Sequence, residues 1–155
     1  MEVFEYTGKG QRVPKDVVSV KFHPTVIEVE EEAFEDCRQL KEVVLNEGLQ
    51  KIGKRSFKTC ISLESIILPS TITEIGSSAF YDCDSMKEVV LNEGLTTIGN
   101  NAFRECTSLE SINFPSTLIK IGMESFNHCI KLRGVVLNKE IKKIGSFGLC
   151  ICPLY

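Results

Sequence analysis

A phenylalanine returns at a constant interval of 23 residues along most of this chain, as Phe34, Phe57, Phe80, Phe103 and Phe126. Three residues after each comes a cysteine, Cys37, Cys60, Cys83, Cys106 and Cys129, and Cys152 keeps the interval. An Ile-Gly pair ends at Gly53, Gly76, Gly99, Gly122 and Gly145, and Leu40, Leu63, Met86, Leu109 and Leu132 each follow a cysteine by three. A fixed period of this length marks a solenoid, because a single unit of one strand and one return cannot bury its own apolar face and must stack on its neighbours. Carrying the frame back through Val17, Val20, Phe22, Val26, Val29 and Phe34 gives six units over residues 17–154. A longer period lies on top of it: Lys41 to Leu49 recurs verbatim as Lys87 to Leu95, two units later.

Within a unit, Leu40 to Leu45 is short, β-branched and alternating, which predicts a strand with Val43 and Leu45 on one face and Val44 on the other. Asn46-Glu47-Gly48 or Pro69-Ser70-Thr71 then ends it with turn residues. Ile75 to Cys83 places apolar groups at i, i+4, i+5 and i+8, the spacing of about two helical turns. The glycine after each isoleucine marks a place where a Cβ would obstruct the chain. The expected fold class is therefore α/β: a right-handed solenoid with a parallel β-sheet on one side and short helical turns on the other, six repeats of 23 residues. Residues 1–16 are expected to form an N-terminal cap folded as a hairpin. Residues 17–155 form the solenoid, with a degenerate last repeat in which Leu149 replaces Phe, Phe147 falls two residues early and Gly148 replaces Ala or Ser.

Composition narrows the function. The 155 residues carry a net charge of −3, which argues against a phosphate-tracking basic face and so against a nucleic-acid partner. No apolar run approaches the ~18–20 residues of a membrane helix, so no membrane partner is expected. Two histidines and no tryptophan leave few catalytic groups. His23 and His128 fall in turn and exposed columns far apart, and no base–nucleophile pair assembles from them. Thr7-Gly8-Lys9-Gly10-Gln11 lacks the spacing of a phosphate loop and reads as a turn.

The pattern Ile75-Gly76-x-x-Ala79-Phe80-x-x-Cys83-x-x-Met86-x-x-Val89-x-Leu91 resembles the BspA-like class of leucine-rich repeats, over residues 17–154. The leader, with Tyr6-Thr7-Gly8 and Val13-Pro14-Lys15-Asp16-Val17, resembles the opening of protist and algal members. The resemblance implies a leucine-rich-repeat solenoid that binds ligands or proteins and has no catalytic residues. It also implies that bacterial relatives are often surface or adhesion proteins, whereas many protist relatives carry no export signal.

The six column cysteines are expected to be a ladder of small buried thiols, with no disulfide and no metal, since Cys-x-x-Cys pairs and clustered histidines are absent. Cys150, outside the column, is the one thiol expected to react. So many unoxidised thiols, with no Asn-x-Ser/Thr sequon, point to the cytoplasm, and removal of a signal sequence would point to the cell surface. On the solvent face of the strands, Lys41, Glu64, Lys87, Glu110 and Arg133 alternate in sign and are expected to hold strand register. The adjacent column, Val44, Ile67, Val90, Asn113 and Val136, places aliphatic groups in solvent with no duty towards the core. Contiguous apolar surface of this kind marks an interaction site. With Glu42 and Glu88, and a rim of Ser65, Ser111, Asn46, Asn92 and Asn138, this column is the candidate ligand-binding strip. The expected function is a non-enzymatic scaffold without cofactors that binds a protein through this face. The alternative is a surface adhesin binding extracellular protein or glycan. The uncharged tail from Ser146 to Tyr155 suggests self-association through the C-terminal end.

Overall fold

The computed structural model describes residues 2–149. Eleven strands run in parallel around a solenoid: β1 (Phe4–Tyr6), β2 (Ser19–Phe22), β3 (Glu28–Val29), β4 (Glu42–Val44), β5 (Lys51–Ile52), β6 (Ser65–Ile67), β7 (Glu74–Ile75), β8 (Glu88–Val90), β9 (Thr97–Ile98), β10 (Lys120–Ile121) and β11 (Lys143–Ile144). They fall on two sides. Sheet A holds β1-β2-β4 and β6-β8, continued by single bridges Glu88↔Ser111 and Asn113↔Val136. Sheet B is continuous through all six rungs, in the order β3-β5-β7-β9-β10-β11. Every pairing is between residues 23 apart, apart from that of the leader, where β1 pairs with β2 at Phe4↔Val20. The leader is thus an extra parallel strand, and the expected antiparallel hairpin does not form.

Between the two sheets the Phe column is a stack of rings. Phe34, Phe57, Phe80, Phe103 and Phe126 lie with centroids 5.0, 5.4, 5.3 and 5.3 Å apart and planes within 12° of parallel. Tyr6 closes the N-terminal end of the stack edge-on to Phe34 at 5.0 Å, and Phe114 meets Phe126 edge-on at 5.6 Å. All are buried except Phe114, which packs against the core part-exposed. In the degenerate last repeat, Leu149 packs against the core and Phe147 faces solvent.

The third side corrects the expected helical turns: among the described residues no helix forms. Ser78, Phe80 and Asp82 donate their N–H groups to Asn100, Ala102 and Arg104 of the next rung at 2.8, 2.8 and 2.9 Å. Ala79, Tyr81 and Cys83 donate back three residues within their own rung. The alternation satisfies each amide from Ser78 to Cys83, and it demands left-handed backbone at two columns per rung, for example Ser78 and Asp82, both at φ 56°. Spacing explains the outcome. Helices are ~10 Å across and pack at 8–10 Å, while strands stack at ~4.8 Å. A return joined directly to sheet B has to keep the strand spacing, so helical periodicity in the sequence yields a ladder of turns.

The glycine column is what allows rungs to come this close. A Cβ on Gly99 would lie 2.6 Å from Ser77 N and 2.7 Å from the Gly76 carbonyl carbon. On Gly122 it would lie 2.4 Å from Asn100 N. These contacts are with backbone, which cannot move aside. The 46-residue period also has a physical basis. On alternate rungs the amides of Asn46 and Asn138 donate to Val26 O and Pro115 O at 2.9 and 2.6 Å, and Asn92 reaches Leu68 O in the same way. On the intervening rungs, Thr71 and Thr117 accept from Gly48 and Gly94 N–H and donate to Leu49 and Leu95 carbonyls at 2.6 and 2.8 Å. Each turn type is built to meet the other.

Gly99→Ala is expected to lower stability by about 3 kcal/mol or more, because backbone must yield to the methyl group. Ser56 sits in an Ala/Ser column, fully buried, and its hydroxyl has no hydrogen-bond partner among the described residues. Ser56→Ala should therefore raise stability by about 1 kcal/mol. Urea midpoints at unchanged m-value measure both changes, and opposite signs are required.

Candidate functional site

The strip lies where the alternation of sheet A puts it. Val44, Ile67 and Val136 are 58%, 66% and 77% exposed, Asn113 is exposed, and Val90 is half-buried. Ile67 stands in register beside Val90, and Asn113 beside Val136. Glu42 and Glu88 are exposed at the head of their strands; Glu42 accepts a hydrogen bond from Ser19 at 3.3 Å, and Glu88 stands between Ser65 and Ser111.

The column is not one smooth surface. Sheet A is interrupted between β4 and β6, which are neighbouring rungs with no ladder between them. Leu68 donates its N–H to Val90 O at 3.0 Å, whereas the equivalent Leu45 N–H makes no such bond to Ile67 among the described residues. A cleft of about 600 Å³ lies at this interruption, lined by Val44 and Ile67 together with Lys41, Glu47 and Asn92. Hence two apolar side chains flank unpaired main chain. Such an arrangement can take an extended polypeptide, whose own amides and carbonyls meet the strand while its side chains fill the hollow. Sequence periodicity could not reveal this interruption, because every rung repeats the same strand pattern.

Two other groups take different roles from those the sequence suggests. Asn46, Asn92 and Asn138 turn their amides into carbonyls of the preceding rung, so they brace the turns and do not form a free polar rim. In the alternating charged column only Lys87 and Glu64 approach as an ion pair, at 2.8 Å, which holds the Glu64 carboxyl below and the Lys87 ammonium above its ordinary range. The denser ion pairs lie elsewhere: Lys51 reaches Glu74 at 3.7 Å and Glu28 at 4.0 Å on sheet B, and Arg55 reaches Glu32 at 2.5 Å and Glu35 at 2.7 Å on the turns.

The described column thiols, Cys37 to Cys129, are all fully buried and unbridged. Cys60, Cys83, Cys106 and Cys129 donate to the carbonyls of Phe34, Phe57, Phe80 and Phe103 on the preceding rung at 3.0–3.2 Å. Burial raises their pKa, pushing Cys37 to about 11 and Cys129 to about 12 from an ordinary 9.0. Thiols so protonated are poor nucleophiles and poor metal ligands. Cys150 and Cys152 lie outside the described residues. His23 is engaged with Thr25 at 2.7 Å in a local turn, and His128 lies exposed on a left-handed residue of the turn side. Thr7 to Gln11 form a turn closed by Gln11 N–H on Gly8 O at 3.1 Å.

The model of the BspA type leucine rich repeat region matches in six copies, over residues 15–133 and 96–154. Among solved structures, a leucine-rich repeat protein of Treponema pallidum is 27% identical, with a TM-score of 0.76 over 83% of this chain and 69% of that one. A leucine-rich repeat protein of Bacteroides ovatus is 25% identical, with a TM-score of 0.67 over 94% of this chain and 48% of the other. A leucine rich cell surface protein of Faecalibacterium prausnitzii, 22% identical, shares the fold at a TM-score of 0.53, and this chain spans 31% of its length. No curated protein sequence matches the chain.

The buried thiols make the fold sensitive to alkali. Their folded pKa values lie above the unfolded value of 9.0, so the stability they contribute is complete below pH 9 and is lost as pH rises towards 11–12. The unfolding free energy from urea titrations is expected to be flat from pH 7 to about 8.5 and then to fall by up to about 1.4 kcal/mol per pH unit for each thiol. A Cys83→Ala variant should fall less steeply, and an equal slope would contradict the assignment.

Proposed function

The chain belongs to the BspA-type leucine-rich repeat family, and we propose that it is a non-catalytic scaffold that binds a protein ligand through the outward face of sheet A. The observation that carries this reading is the interruption between β4 and β6, where exposed Val44 and Ile67 flank a cleft and unpaired main chain. An extended segment of the partner lies along this cleft, its apolar side chains between Val44 and Ile67, with Glu42, Glu88, Val90, Asn113 and Val136 as the wider contact surface. Repeat columns are committed to the scaffold, so specificity resides in the outward residues that differ from rung to rung. Among the described residues, the two histidines lie apart and the column thiols are buried, which supports the non-catalytic reading.

The cellular setting follows from different reasoning than the sequence offered. Thiols that are fully buried and hydrogen-bonded persist unbridged in oxidising surroundings too, so they carry no argument for the cytoplasm. A neighbour in fold that is named as a cell surface protein lends support to a secreted or surface-displayed setting. There the ligand is an extracellular protein.

Affinity capture with three baits tests the reading: the wild-type chain, Val44→Glu/Ile67→Glu, and Lys142→Glu/Lys143→Glu on the opposite sheet, each verified as folded by circular dichroism. Partners held by the first and third and lost by the second are expected. Identical partners on all three would contradict it.

A further inference from the structure

The outward side of sheet B and its adjoining turns change character along the solenoid. On the first three rungs this surface is polar apart from Ile27, and its charges are internally neutralised: Lys51 lies between Glu28 and Glu74, Lys54 meets Glu31 at 3.0 Å and Arg55 meets Glu32. On the last two described rungs the same columns read differently. Met123 follows Glu31, Lys54, Ser77 and Asn100 in its column, and Phe147 follows Glu32, Arg55, Ser78, Asn101 and Glu124. Ile119 follows Ile27, Gln50, Thr73 and Thr96, so here an isoleucine returns after three polar rungs. These three apolar side chains are 44%, 64% and 40% exposed.

Lysines surround them. Lys120 and Lys143 are direct partners across β10 and β11, and Lys142 is bonded through its N–H to Ile119 O at 2.8 Å. All three are exposed, and none has a carboxylate within 4 Å among the described residues. Like charges directly abreast in a sheet repel each other, whereas the equivalent N-terminal position alternates in sign. From residue 111 to 149 there are six lysines and arginines against two glutamates, one of which, Glu124, is tied to Arg104. The chain-wide charge of −3 averages this segregation away, and the lack of a spanning segment, on which the expectation of no membrane partner stands, does not bear on peripheral binding.

We propose that this C-terminal patch, Ile119, Lys120, Met123, Lys142, Lys143 and Phe147, docks the protein peripherally on an anionic lipid surface. Lysines side by side at strand spacing, each with a long apolar stem, match an array of negative headgroups, and Met, Ile and Phe among them enter the interface. The cations of the patch are all lysine. Protein–protein interfaces favour arginine and disfavour lysine, which makes lipid the better occupant than an acidic polypeptide. The patch lies on a different sheet from the proposed protein-binding cleft, so the two proposals stand or fall separately.

Co-sedimentation with phosphatidylcholine vesicles, with or without about 30 mol % phosphatidylglycerol, tests the proposal at low and at physiological salt. The full chain is expected to bind the anionic vesicles only, and less at higher salt. Lys142→Glu/Lys143→Glu should reduce partitioning on the order of tenfold or more, and Met123→Ser/Phe147→Ser should also weaken it. Val44→Glu/Ile67→Glu should leave it unchanged. No binding to anionic vesicles, or binding indifferent to both patch variants, would overturn the proposal. So would a patch-dependent affinity for soluble polyglutamate with none for vesicles, which would make the partner an acidic polypeptide.

Discussion

Backbone passing over backbone at the glycine column is the contact on which the other features depend. Because Gly53, Gly76, Gly99, Gly122 and Gly145 present no Cβ, successive rungs close to strand spacing on the sheet B side. That spacing forces the return segments to become ladders of turns, since a helix is too wide to stack at ~4.8 Å. It also brings the phenylalanine rings face to face at 5.0–5.4 Å and places each cysteine under the carbonyl of the preceding rung. A column of small thiols suits this position: it fills the core and supplies a weak donor without bringing in a strongly solvated group.

The two sides of the solenoid divide the work. Sheet B is continuous, held by glycine contacts and, at the N-terminal rungs, by ion pairs through Lys51, Lys54 and Arg55. Sheet A is not, and its interruption at β4/β6 leaves a cleft with exposed Val44 and Ile67 beside it. Exposed ion pairs each add only about 0.2–1 kcal/mol, so the N-terminal cluster of charges acts mainly to set rung register.

Much of this was legible in the sequence because a solenoid repeats its requirements. The Phe, Cys and Ile-Gly columns announce the core, the parallel stacking and the buried thiols, and the alternation of Val43 and Val44 announces which strand face meets solvent. The period of Ile75 to Cys83 misled, because apolar spacing records which residues point inward and says nothing about the distance to the next rung. The role of Asn46 and Asn92 was hidden for a similar reason: a turn residue's side chain bonds to a rung that sequence places 20 or more residues away. The parallel pairing of the leader was equally invisible, since Phe4 to Tyr6 lies outside the 23-residue frame. The local interruption of sheet A has no signature in any single unit.

Amide hydrogen exchange at two equivalent leucines tests the central claim most directly. Leu45 and Leu68 occupy the same column, but only Leu68 donates to the neighbouring rung, on Val90 O at 3.0 Å. The account predicts that the Leu45 amide exchanges faster than Leu68 by orders of magnitude in the free protein and becomes protected when a ligand fills the cleft. Equal and strong protection at both positions in the free protein would mean that sheet A is closed between β4 and β6 and that the cleft is not a binding site.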